Sequence, residues 1–381
     1  LIVPNKSYRL NPERAIYISG VITDDLLTQL TPKILALQHE SRDPISVYID
    51  SPGGSPSSME SILRLLHMSD QNQSDACDII TAVTARADSA AADLLSSGDY
   101  AIAFPSTKIL HHGVRRVERN PLTFESTSQL SELMRVYKDV YAMQLAQKTE
   151  NRFSFRYVTA RHKFDDLREK KQAPSMTELD CFVEVIEEEL SPDAKQLWKK
   201  ARERYGRYHE LIAIVLEKSG TQIPSNPAQV QAEVIKAIVD FEAASNSSNP
   251  AWSFRNGGIT GLVDDFFLLE EYIVNNDHAR LKDWCTSFGR WSLNDEQREQ
   301  VESISDPEEK LERTIELVRP ILQPVWTFFV ALCHALQEGE NELTAKDAYW
   351  LGLIDEVIGE DLYTIRDLME YEDDPAEEVM D

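Results

Sequence analysis

Three small groups of residues in the first 112 positions carry the parts of a nucleophilic site. Ser89 stands between a β-branched run that ends near Thr84 and a run opening at Ala90 with helical spacing. A serine at a strand-to-helix turn is held by the backbone, and the start of the helix favours negative charge beside it. His111-His112 closes a short strand after Pro105, and a histidine at a strand end is a candidate general base. Pro52-Gly53-Gly54 follows the strand 45–49 and precedes another helix. Glycines at such a turn let a backbone or a ligand come close, and amides at a helix start bind permanent or developing negative charge. Nucleophile, base and oxyanion donors in one sheet are the components of acyl transfer. Each group also has a plain structural reading. Asp88 and Ser89 are good helix caps, a lone histidine is commonly structural, and a Gly-Gly step is a convenient turn.

These residues need a scaffold to bring them together. Residues 15–112 alternate short β-branched runs (15–18, 45–49, 79–83, 100–104, 108–111) with helical ones. That alternation implies a largely parallel sheet with helices on its faces. Thr23 reads as an N-cap with Asp24 and Asp25 in the first turn. Beyond residue 125 the texture changes to long helices: one over 128–149, and one that starts at Ser191-Pro192 and runs towards Gly220. Others start at Asn226-Pro227 and at Ser305-Asp306-Pro307, the last meeting Pro320. The α/β texture returns near 336–355, with a helix over 345–352 and a strand-like run over 353–358. The tail 371–381 is dense in acid.

Composition narrows the classes of function. The chain has 381 residues, 42% hydrophobic and 27% charged, which suits one large domain or two. The net charge of −26, from 65 acidic and 39 basic residues, repels nucleic acid and anionic membranes, so neither is an expected partner. Cys77, Cys181, Cys285 and Cys333 have no paired spacing, which argues against a disulfide framework or zinc site and fits a reducing, cytoplasmic setting. The apolar run 325–335 is too short to span a bilayer, and the N-terminal residues lack the apolar run of a secretory signal. His209-Glu210 begins like a zinc-protease helix, but Ala213 stands where a second histidine ligand belongs, so no metal and no cofactor are expected.

Several segments in order resemble the Clp protease proteolytic subunit, a serine peptidase of the ClpP/crotonase superfamily. They are RAIYISGVITDDLLTQLTPKILALQHESRDPISVYIDSPGG, ARADSAAADLLSSGD, FPSTKILHHG and ELTAKDAYWLGLIDEVI. The resemblance implies an α/β fold, a ClpP/crotonase-like core of repeated β-β-α units, here with a large inserted all-α domain. It places the nucleophile at Ser89, the catalytic histidine at His112, the oxyanion amides at Gly54 and Ala90, and the third triad member at Glu340, with Glu338 and Glu342 as neighbouring candidates. Two departures stand out: Ala90-Ala91 replaces a methionine-glycine pair, and Glu340 stands where the family has aspartate.

The implied organisation is a first core segment over 1–150 that includes a handle helix near 130–150, an inserted helical domain over 151–335, a closing core segment over 336–370 and the acidic tail. The implied function is serine endopeptidase activity on polypeptide, in a homo-oligomeric ring, with an ATP-driven unfoldase as the family's partner. An insert beside the handle obstructs ring-on-ring stacking. Two rival readings are a catalytically inactive scaffold or adaptor on the same fold, and a superfamily member acting on acyl-CoA thioesters or through a Ser-Lys dyad. The second wants a basic patch, or a lysine in place of His112, and only Lys108 lies nearby.

Overall fold

The computed structural model describes residues 8–68, 76–115, 123–160, 162–219, 282, 285 and 293–362. The helix expected from Asn226-Pro227 and the tail 371–381 lie outside the described residues.

From the N-terminus the elements are β1 (Ala15–Ser19), α1 (Asp24–Glu40), β2 (Ile45–Ser51), α2 (Pro56–Leu66), β3 (Ile79–Asp88), α3 (Ala90–Ser96), β4 (Tyr100–Ala103) and β5 (Lys108–His112). The helices α4 (Phe124–Ala160), α5 (His162–Lys171), α6 (Glu178–Glu189), α7 (Pro192–Ser219), α8 (Asp295–Glu302) and α9 (Pro307–Leu336) follow. The chain then forms β6 (Glu340–Thr344), α10 (Ala345–Trp350) and β7 (Glu356–Val357).

The strands make one mixed sheet, in the order β1-β2-β3-β4-β7, with β5 beside β3 and β6 beside β5. All pairs are parallel except β5 with β6. Its central strands read as continuous apolar runs because both faces are covered: Ile79, Ile80, Ala82 and Val83 are fully buried. β3 is longer than its β-branched stretch. Residues 80–83 pair with β4 and residues 86–88 pair with β5, so one strand changes partner along its length. That change carries the chain out to the turn that holds Ser89.

Local chemistry sets the helix ends. Thr23 Oγ1 accepts from Leu26 N at 3.2 Å, as a Thr N-cap should. Ser55 caps α2 and accepts from Ser58 N, while Ser58 Oγ donates to Asp24 Oδ1 at 2.6 Å and ties α2 to the start of α1. Pro192 occupies the first turn of α7. α9 does not end at Pro320 but continues to Leu336, and its second half is carried by the buried run Val325–Leu336. Tertiary burial there outweighs the missing N–H of proline.

The chain divides into two compact units, Leu1–Lys195 with Leu336–Asp381, and Gln196–Ala335. The break expected after residue 150 falls inside α4, and residues 151–195 belong to the first unit. Two buried arginines explain the difference. Arg152 Nε bonds Asp355 Oδ2 at 2.6 Å, and its other nitrogens donate to the carbonyls of Ser96 and Gly98. Arg156 donates to the carbonyls of Tyr349 and Ile354, with its guanidinium 3.5 Å from the Tyr349 ring centroid. These bonds fasten α4 to the sheet well past residue 150. Ser191 closes the unit by donating its amide and hydroxyl to the two oxygens of Asp347, each at 2.8 Å. The second unit has its own aromatic core, in which Trp198 meets Phe328 edge-on at 4.7 Å between centroids.

Candidate active site

Ser89 is the residue between β3 and α3, with φ +56° and ψ −127°. A non-glycine residue in this region costs about 1–3 kcal/mol and persists only where its surroundings enforce it. Here they do. Ser89 N donates to Leu110 O on β5 at 2.7 Å, and Ser89 O accepts from Ala92 N and Asp93 N at 2.8 and 3.2 Å. Its backbone is therefore fixed on both sides. The side chain makes no capping bond to α3, so the hydroxyl is not spent on the helix, which was its plain structural role.

The glycine turn packs directly on this serine turn. Ser51 Oγ accepts from Gly53 N at 3.0 Å and donates to Gly20 O at 2.6 Å. Gly53 has φ +83°, and a Cβ there would overlap the Asp88 carbonyl oxygen and come within 2.9 Å of Ser89 Cβ. Only glycine permits this approach. Gly54 bridges to Ile22 through the Gly53 carbonyl and the Ser55 amide, at 2.8 and 2.9 Å, which leaves its own amide out of the ladder. Ala90 is the first residue of α3, so its amide has no intrahelical acceptor. The two amides assigned to an oxyanion hole thus stand on turns in direct contact.

β5 supplies the histidines. Its side chains alternate between faces. His111 is 1% exposed and faces α3, where its Nδ1 lies 3.5 Å from Asp93 Oδ1. His112 is half-buried on the other face, two residues along from Leu110, which pairs with Asp88. Burial pushes the Asp88 carboxyl above its ordinary value; Glu342 adds to the rise, and Arg86, His112 and Lys108 oppose it. Asp88 is thus a second acid on the His112 face, beside the serine. An aspartate next to a candidate nucleophile was visible in the sequence, where it reads as a cap.

The acids of β6 are set by register. In the antiparallel pair, Glu340 lies directly across from His112 and Asn341 across from His111. β6 itself was not expected as a strand; its exposed-buried alternation, with Asn341 and Leu343 buried, marks it. Across the strand gap, Glu340 Oε1 is taken by Arg115 Nη2 at 2.5 Å, and this bond, more than the nearby His112, holds the carboxyl below its ordinary value. His112 Nδ1 lies 2.6 Å from the Gly113 carbonyl. The two neighbouring candidates are held in the same way, Glu342 by Lys108 at 2.5 Å and Glu338 by Lys138 at 2.7 Å. Arg115 had no signal in the sequence, because its partner is 225 residues away.

Among the described residues no group of three or more His, Cys, Asp or Glu side chains is placed to hold a metal, and no helix is long and apolar enough to cross a membrane. His209 and Ala213 lie on α7, with side chains outside the described set.

Comparison with known proteins follows the same part of the chain. Residues 4–170 match the family model described as Clp protease. The chain is 34% identical over 102 residues to the ATP-dependent Clp protease proteolytic subunit of Carsonella ruddii (strain PV), covering 26% of this chain and 50% of that protein. It is 38% identical over 108 residues to the ATP-dependent Clp protease proteolytic subunit 2 of Rhodococcus jostii (strain RHA1), covering 27% and 52%. The chain spans about half the length of these curated relatives. Residues 4–170, which carry Ser89 and His112 on the mixed sheet, are the part of the chain that matches the Clp protease family.

Proposed function

We propose that this chain is a serine endopeptidase acting at Ser89. One observation carries the reading. A strained serine with an uncommitted hydroxyl is bonded through its backbone to the strand that ends in His112, and the Gly53-Gly54 turn packs against it. In the proposed mechanism Ser89 Oγ attacks the scissile carbonyl while His112 takes its proton. The amides of Gly54 and Ala90 receive the oxyanion. His112 then gives the proton to the leaving amine, and water resolves the acyl-enzyme by the same route in reverse. Loss of one oxyanion donor in such a site costs about 10²–10³ in rate. Glu340 is the acid opposite His112 and the proposed third member of the triad.

The substrate class that fits is polypeptide. The relatives are named as proteolytic subunits of an ATP-dependent protease, and by that likeness this chain would work as a ring of identical subunits in the cytoplasm, fed by an ATP-driven unfoldase. Tyr17, stacked on Tyr48, and nearby Val21 leave large apolar side chains in water on the β1 edge, the kind of surface an assembly covers. The additional unit Gln196–Ala335 would favour single rings over stacked ones.

A second reading, an inactive scaffold, is favoured by one feature: Glu340 is bonded to Arg115 and His112 to its own backbone neighbour. A fluorophosphonate probe with mapping of the labelled residue tests the proposal. The peptidase reading expects Ser89 as the labelled serine, and loss of labelling and of peptide cleavage in Ser89→Ala. Labelling at another serine overturns the assignment to Ser89, and no labelling in folded protein supports the scaffold. Light scattering on the intact chain tests the ring.

A further inference from the structure

We infer that Arg115 is a positioning residue that holds Glu340 away from His112, so that the site rests in a latched state and gains reactivity when this ion pair opens. The inference deepens the peptidase reading and rests on it.

The register makes the contact between acid and base available. Glu340 and His112 are directly opposite on β6 and β5. Directly opposed residues in an antiparallel pair have Cβ atoms about 4.5–5.5 Å apart, within reach of a glutamate and an imidazole. The side chains do not use it. Glu340 Oε1 sits on Arg115 Nη2 at 2.5 Å, and His112 Nδ1 sits on the Gly113 carbonyl at 2.6 Å. Nδ1 is the nitrogen whose proton an orienting acid accepts, so the acid's place is filled by the main chain. The acids on either side of Glu340 are engaged in the same way, Glu342 by Lys108 and Glu338 by Lys138.

The same numbers say the latch is weak. Arg115 is 58% and Glu340 62% exposed. An exposed ion pair contributes little and is screened by salt. It can therefore open without disturbing the fold. Arg115 lies on the segment that leaves β5 right after His112, so whatever moves that segment moves the latch and the base together.

The test is the rate at which a fluorophosphonate probe labels Ser89 in the full chain. Arg115→Gln should label roughly two- to five-fold faster than wild type, the range expected for an exposed pair. Arg115→Lys, which keeps the cation, should stay slow. Arg115→Gln with Glu340→Gln should lose the gain, because the freed acid is what orients His112. Added salt should speed wild type and leave Arg115→Gln unchanged. Unaltered thermal unfolding across the set separates these effects from misfolding. An Arg115→Gln rate equal to or below wild type overturns the latch, as does a double variant as fast as Arg115→Gln. If Ser89 is labelled in none of the proteins, the peptidase reading itself falls, and the latch with it.

Discussion

Replacing Gly53 by alanine probes the join between the two turns. The position has φ +83°, where an L-residue costs about 1–2 kcal/mol. The added Cβ would overlap the Asp88 carbonyl oxygen and stand 2.9 Å from Ser89 Cβ and 3.2 Å from Ala90 N, all on a turn fixed by the Ser89–Leu110 bond. Overpacking of this kind costs about 1–3 kcal/mol more. Gly20 is the control. It also has positive φ, +75°, but an added Cβ there meets nothing within 4 Å. Gly20→Ala therefore isolates the backbone cost, and Gly53→Ala should lie roughly 1–3 kcal/mol below it, or about 2–12 °C in the unfolding temperature for a unit of this size. The second readout is the site. Relief of the overlap must push the Ser89 turn, and a misplacement near 1 Å can cost about 10² in rate. Probe labelling of Ser89 should fall by that order in Gly53→Ala and stay near wild type in Gly20→Ala. Both variants would be followed by thermal unfolding and by labelling at a temperature where each is folded. If the two unfold together and label alike, the glycine turn does not support the serine turn, and the reasoning that joins them is wrong.

His112→Ala should lower turnover by orders of magnitude through loss of the base, whereas His111→Ala should act on stability, since His111 is buried against Asp93; peptide hydrolysis and thermal unfolding together check this, and the opposite pattern would reverse their roles. Arg152→Leu should cost about 3–5 kcal/mol, because it strands the buried carboxylate of Asp355, and urea unfolding that shows no loss would refute the role of this pair in fastening α4. Glu340 should titrate below the ordinary value of 4.5 and return towards it in Arg115→Gln, as read by carboxyl NMR. A carboxyl pKa depressed by folding adds stability above the unfolded value and loses it as pH falls. The Arg115–Glu340 pair should therefore survive through the pH at which an ordinary glutamate protonates and open only below it.

Much of the architecture was legible because it is local. A Thr-Asp-Asp start, a Ser-Pro start and β-branched runs between helical ones each state their conformation within a few residues, and together they imply a parallel sheet. The place of Ser89 between strand and helix, and the opposite faces of His111 and His112, follow from the same short-range periodicity. What depended on distant partners was not legible. The handle helix runs to Ala160 because Arg152 and Arg156 find acceptors around residues 349–355. α9 passes through Pro320 because burial beyond it outweighs one lost hydrogen bond. β3 changes partner at its far end only because β4 and β5 come to lie beside different halves of it. The acid was the hardest case. The resemblance puts the triad acid at Glu340, and the antiparallel register of β5 and β6 sets that residue across from His112. Whether its carboxylate meets the imidazole or the guanidinium of Arg115 is a competition between side chains more than two hundred residues apart, and only the folded surface brings those competitors together.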